Sequence, residues 1–192
     1  MLSKVAISSK VVFNVLAGEQ SPAENKNEFL CLINNRKKGR LVVQLKTKHF
    51  DEISYDEEAV IIFEEGLPGF NDFKRFILLS DNSDDLLLWL QSVDDGNLAF
   101  VLLNAKQIIP DYDPFIEPDM IKSLDDGSTL VCYNIAVVPD DLRQMRVNLR
   151  APVIINKTLR KGKQVLTTND EYSLRHYIFE DINNYQLAVG NG

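Results

Sequence analysis

The apolar positions of this chain fall in short, dense runs separated by polar clusters, and only rarely in the three-to-four spacing of a helix. Residues 59–100 read AVIIFEEGLPGFNDFKRFILLSDNSDDLLLWLQSVDDGNLAF, with runs at 59–63, 76–79 and 86–90 and a fourth opening at Leu98. Runs of four to six apolar residues bounded by turn signals predict strands, because a helix needs a longer periodic stretch. The spacers have turn chemistry. Gly66-Leu67-Pro68-Gly69 combines glycine, which tolerates positive φ, with a proline that fixes one φ angle. Residues 81–85 (DNSDD) and 94–97 (DDGN) are Asp/Asn/Gly clusters of the kind that turn a backbone. Strands over 86–92 and 97–103 make the clearest hairpin, with Asp95-Gly96 suited to a turn that needs positive φ. Their apolarity is nearly continuous, which predicts burial on both faces, as in a closed barrel or a packed sandwich.

The rest of the pattern extends an all-β reading. Strands are expected over 41–47, 59–64, 75–80, 129–138, 144–149, 152–156 and 164–168. Residues 49–52 lead into a further short strand or loop, and 171–179 give a last strand or turn. Phe70 and Phe73, three apart, suit a single helical turn. Residues 108–118 (IIPDYDPFIEP) carry three prolines, which exclude a regular helix or a central strand and predict an exposed loop bearing Tyr112 and Phe115. Residues 119–124 suit one or two helical turns, with Pro118 near the start and acidic residues early. Residues 157–163 read as a basic hairpin loop and 183–192 as a frayed tail. Eight or more short strands with one short helix predict a compact antiparallel barrel or sandwich over residues 41–182.

Residues 1–40 read differently and are expected to form an N-terminal extension, partly ordered at best. Their basic connector, 34–40 (NNRKKGR), suits an arm for RNA or a membrane surface, or an upstream extension with no role in the fold. The apolar stretch 5–16 is interrupted by Ser8, Ser9, Lys10 and Asn14, which argues against a signal peptide. No apolar run approaches the ~20 residues that span a bilayer. Charge divides the chain: residues 1–50 hold nine Lys/Arg and three Asp/Glu, residues 51–192 twelve and twenty-five. The acidic part repels nucleic acid at long range and attracts basic protein surfaces. Cys31 and Cys132 have no CxxC partner and read as reduced thiols.

The search for reactive groups leaves few candidates. His49 and His176 have no second ligand at metal spacing, and His176 reads as a packed, hydrogen-bonded side chain. No HExxH, GxSxG or GxxxxGK[ST] is present. The acidic pairs 64/65, 84/85, 94/95, 125/126 and 140/141 lie in expected turns, where they cap the backbone. Arg143, Arg146, Arg150, Lys157, Arg160, Lys161 and Lys163 form one positive stripe in an acidic domain. It has no interleaved aromatics for base stacking and suits a solvated hairpin; an RNA-binding barrel using this stripe and the basic arm is the alternative. A small barrel enzyme or flavin-type binder is a third class, weakened by the lack of a phosphate-cradling glycine loop. The best binding candidates are Tyr112 and Phe115 as apolar anchors, Asp111 and Asp113 as their acidic rim, and Gln91, Asp94 and Asp95 on the neighbouring hairpin. Folding of the same aromatics back onto the barrel as a lid is the other outcome.

An ordered series of motifs resembles the FliW family of flagellar assembly factors. It runs FEEGLPGF (63–70), LQSVDDGNLAF (90–100), Pro110-Asp111-Tyr112, VNLRAPVIIN (147–156), RKGKQV (160–165) and YSLRH (172–176). The resemblance spans residues 41–179; residues 1–40 lie outside it, and Tyr177 stands where a proline is common. It implies an antiparallel β-barrel-like fold with no catalytic activity, cofactor or metal, acting in the cytoplasm. It further implies a protein that binds flagellin and the translational regulator CsrA, the two competing for it, so that free flagellin restores repression of its own messenger RNA. Neither direct nucleic-acid binding nor a membrane is implied.

Overall fold

Side-chain alternation within the dense runs decides how the chain closes on itself. The computed structural model describes residues 30–31, 41–80 and 86–190. Its strands are β1 (Leu30–Cys31), β2 (Val42–Lys46), β3 (Glu52–Asp56), β4 (Ile61–Ile62), β5 (Arg75–Ser80), β6 (Leu87–Ser92), β7 (Ala99–Leu103), β8 (Leu130–Val137), β9 (Arg146–Val147), β10 (Val153–Asn156), β11 (Lys161–Gln164) and β12 (His176–Tyr177). Phe76 and Leu78 of β5, Leu88 and Leu90 of β6, Leu102 of β7, Tyr133 of β8, and Val153 and Ile155 of β10 share one cluster with Ile61, Phe63 and Leu67. The alternate residues Ile77, Leu79, Trp89, Val101 and Leu103 join a second cluster. Strands of period two can bury both rows only if one face closes inward and the other is covered.

Both conditions hold. Strands β4, β5, β6, β7, β8, β10 and β11 form a closed ring of seven, sealed where β8 pairs β10 and where β11 meets β4 in parallel at Lys161↔Ile62. The first cluster fills the interior, with T-shaped ring contacts Phe63–Phe76 at 5.2 Å and Phe70–Phe100 at 5.0 Å. Outside, the β2–β3 hairpin covers Trp89 through Phe50, Ile53 and Tyr55, and Phe50 meets the indole edge-on at 5.2 Å. The helix Phe179–Gly190 and the one-turn helix Ala105–Ile108 complete that layer through Ile182 and Ile108. A smaller cluster of Leu124, Ile154 and Val165 lies beneath the helix Pro118–Ile121 and the turn Lys122–Leu124. The fold is thus all-β, a closed barrel with short helices, as the pattern predicts.

Several local expectations need correction. The expected strand over 164–168 is Lys161–Gln164, and the turn before it is set by Asn156, whose Oδ1 accepts from Thr158 N and Leu159 N. Residues 183–190 are not a tail but continue the helix that starts at Phe179. Gly96 does not have positive φ. A Cβ there would lie 2.0 Å from the Lys46 carbonyl oxygen, so glycine is needed for the close seating of the β2–β3 hairpin. Gly66, at φ +71°, does use the left-handed region. The expectations for residues 1–29 and 32–40, for the 81–85 turn and for 191–192 lie outside the described residues. Within the expected extension, Leu30 and Cys31 pair with Ser80 and Leu79 of β5.

Candidate functional site

The proline-rich loop after β7 is held to the barrel at several points. Tyr112 donates its hydroxyl proton to the Leu149 carbonyl at 2.8 Å and accepts from Asn134 Nδ2 at 2.7 Å. Its ring meets Tyr172 edge-on at 4.9 Å, and burial pushes its phenol well above the usual range. Tyr172 in turn accepts from Asp113 N at 2.9 Å and donates to the Asp111 carbonyl. Phe115 N donates to Asn169 Oδ1 at 2.7 Å, and its carbonyl accepts from Thr167 Oγ1 at 2.8 Å. The sequence folds this way because prolines leave the loop few backbone donors, so side chains of 167–172 supply the partners.

This corrects half of the expected anchor pair. Tyr112 is 3% exposed, so it clamps the loop and is not a surface anchor. Phe115 is 57% exposed, and Leu166, next to the Thr167 and Thr168 that bond the Phe115 carbonyl, is 56% exposed. Asp111, Asp113, Glu117 and Asp119 flank Phe115 along the chain and are exposed, with Asp113 bound to Lys106 Nζ at 2.9 Å. The result is a rigid apolar knob in an acidic rim. Leu166 escaped the sequence reading because it was placed within a strand, and nothing local marks its side chain as outward.

The hairpin candidates do not join this knob. The β6–β7 register puts Gln91↔Ala99 at one end and Leu87↔Leu103, which leads to the loop, at the other. Gln91 is fully buried, donating to the Ser92 and Leu98 carbonyls at 2.9 Å, so no partner reaches it. Asp94 Oδ2 accepts from Lys74 N at 3.1 Å and Arg75 N at 3.0 Å, and Asp95 Oδ1 from Asn97 N at 2.9 Å. Asp95 thus serves its own turn, while Asp94 braces the start of β5.

Elsewhere the charged groups are mutually engaged. Arg143 pairs with Asp141, Arg150 with Asp170, Lys161 with Glu64 and Lys163 with Glu65. The hydrogen bonds from Lys161 and Arg143 hold Glu64 and Asp141 below the ordinary carboxylate range. Four of the seven stripe cations thus face carboxylates, which lowers the free charge the stripe can offer a phosphate backbone. Glu64 and Glu65 thus bind lysines, whereas Asp95, Asp125, Asp126 and Asp141 accept from N–H groups of their own turns. His176 Nε2 lies 2.8 Å from Asp181 Oδ2, half-buried, the packed histidine expected. Burial pushes the Cys132 thiol up to about 11, far from a reactive thiolate. Among the described residues no three His, Cys, Asp or Glu side chains cluster as metal ligands, and no helix is long and apolar enough to cross a membrane.

Comparison with known proteins matches residues 44–178 to the family model described as FliW protein. The flagellar assembly factor FliW of Thermoanaerobacter pseudethanolicus is 41% identical over 145 residues, covering 74% of this chain and 97% of that protein. That of Ruminiclostridium cellulolyticum is 42% identical over 146 residues, covering 74% and 99%. A crystal structure of the flagellar assembly factor FliW superposes with a TM-score of 0.65 at 31% identity, covering 71% of this chain and 96% of that one.

Proposed function

The chain belongs to the FliW family, and from that premise we propose a non-enzymatic cytoplasmic protein that binds flagellin and CsrA in competition. Bound to CsrA, it weakens the hold of that regulator on flagellin messenger RNA; flagellin, by occupying it, restores repression. The observation that carries this reading is the clamped knob. Phe115 and Leu166 are large, exposed and apolar, Phe115 on a loop fixed by Tyr112, Tyr172 and Asn169 and Leu166 on the segment that follows β11. An apolar anchor that is already ordered loses little entropy on binding. The acidic rim suits a basic partner, and CsrA needs a positive surface for RNA. Like-charge repulsion from a domain with twenty-five acidic residues past position 50 then disfavours RNA on the same complex. The barrel interior supports an outward function, since Phe63, Phe76, Leu88 and Leu102 fill it and are each fully buried.

Calorimetric titration of the Phe115→Ala/Leu166→Ala double variant with purified flagellin and with CsrA tests the surface. At least a tenfold loss of affinity for one of the two is expected, with an unchanged melting temperature. Wild-type affinity for both would remove the knob from the interface.

A further inference from the structure

The strands β8, β9 and β12 leave the ring as a three-stranded antiparallel flap. Val137 faces Arg146 across β8–β9, and Arg146 faces Tyr177 across β9–β12. Directly opposed residues share a face, so the three side chains form one row. Ile135, two residues back from Val137 and therefore on the same face, packs with the barrel interior. The flap thus carries the interior face past the rim of the barrel and turns it into surface. Val137 is 47% exposed and Tyr177 56%.

Arg146 stands between them, half-buried, and its Nε is buried with no hydrogen-bond acceptor among the described residues. The neighbouring arginines of the stripe, Arg143 and Arg150, each have a carboxylate, whereas no ion pair among the described residues includes Arg146. In a chain with net charge −7, a cation kept from the abundant carboxylates and framed by apolar side chains is not placed for solubility. A guanidinium fork with an unfilled donor matches a carboxylate in two-point contact, and a half-dry setting strengthens that contact. We infer that this flap face binds an apolar peptide segment carrying one carboxylate, the carboxylate on Arg146 and the flanking side chains against Val137 and Tyr177. The surface is of opposite polarity to the acid-rimmed knob at Phe115, and the inference does not rest on the identity of the partners proposed above.

Fluorescence anisotropy with the full chain tests it. The probes are labelled hexapeptides with Glu at the third position, Leu, Val or Phe on either side, and the matching Gln peptides. The wild type is expected to bind at least one Glu peptide tenfold or more tightly than its Gln counterpart, with a shift of the Arg146 Nε–H resonance. Arg146→Gln should abolish the preference, Arg146→Lys should remove most of it, and Tyr177→Ser should weaken both peptides alike. Equal binding of Glu and Gln peptides, no binding of any peptide, or an intact preference in Arg146→Gln or Arg146→Lys would overturn the inference. So would light scattering that shows a dimer lost on Tyr177→Ser, which would make a second copy the occupant.

Discussion

Replacing Phe76 by alanine is expected to lower the unfolding free energy by about 3–5 kcal/mol, the usual cost of deleting a fully buried phenylalanine. Phe76 is 0% exposed and meets Phe63 at 5.2 Å and Phe100 at 6.2 Å. Its neighbours lie on several strands of a closed ring, and a ring cannot collapse onto the space without breaking strand pairing, so relaxation recovers little. A domain of this kind has roughly 5–15 kcal/mol in total, so the loss is a large fraction of it. The chain has a single tryptophan, Trp89, which is buried against the hairpin and reports unfolding in urea by fluorescence. A loss below about 1 kcal/mol would mean that the interior is not packed as described.

The second large effect separates two aromatics three residues apart. Tyr112→Ala is expected to cost about 3–5 kcal/mol, because it removes a buried ring and deprives the Leu149 carbonyl and Asn134 of a partner. Tyr112→Phe should cost about 1–2 kcal/mol by leaving the ring in place and removing only the hydroxyl. Phe115→Ala should stay within about 0.5 kcal/mol, as for an exposed site. Urea unfolding of the three variants checks the order. Equal costs for Tyr112→Ala and Phe115→Ala would show that the loop is not clamped.

That pair also marks where sequence reading stops. Tyr112 and Phe115 sit in the same proline-rich stretch, and their fates are decided by Asn134, Leu149 and Asn169, all distant in the chain. By contrast β5, β6 and β7 were legible because both faces are buried, which leaves the dense runs unbroken. The turn chemistry of Asp95, Asp125 and Asp141 was legible for a local reason, since each carboxylate accepts from an N–H two residues on. Strand β11 was displaced in the reading because KGKQ has no strand signature. Its interior position is Gly162, where a Cβ would lie 2.3 Å from the ring of Phe63, the residue after β4, so that aromatic supplies the missing volume. The helix Phe179–Gly190 escaped because Asn183 and Asn184 are weak helix formers, and its hold comes from Ile178 and Ile182 in the outer cluster. Gln91, a binding candidate on the hairpin by its sequence, is instead buried, and the hairpin's own carbonyls satisfy its amide nitrogen.

Competition between partners bears most directly on the claim that the outer face of this barrel couples flagellin level to translation. Purified CsrA bound to flagellin leader RNA is titrated with this protein, then with flagellin, and RNA release is followed by gel mobility. The protein alone should free the RNA, and flagellin added in excess should return CsrA to it. RNA that stays bound throughout, or stays free after flagellin is added, would contradict the account.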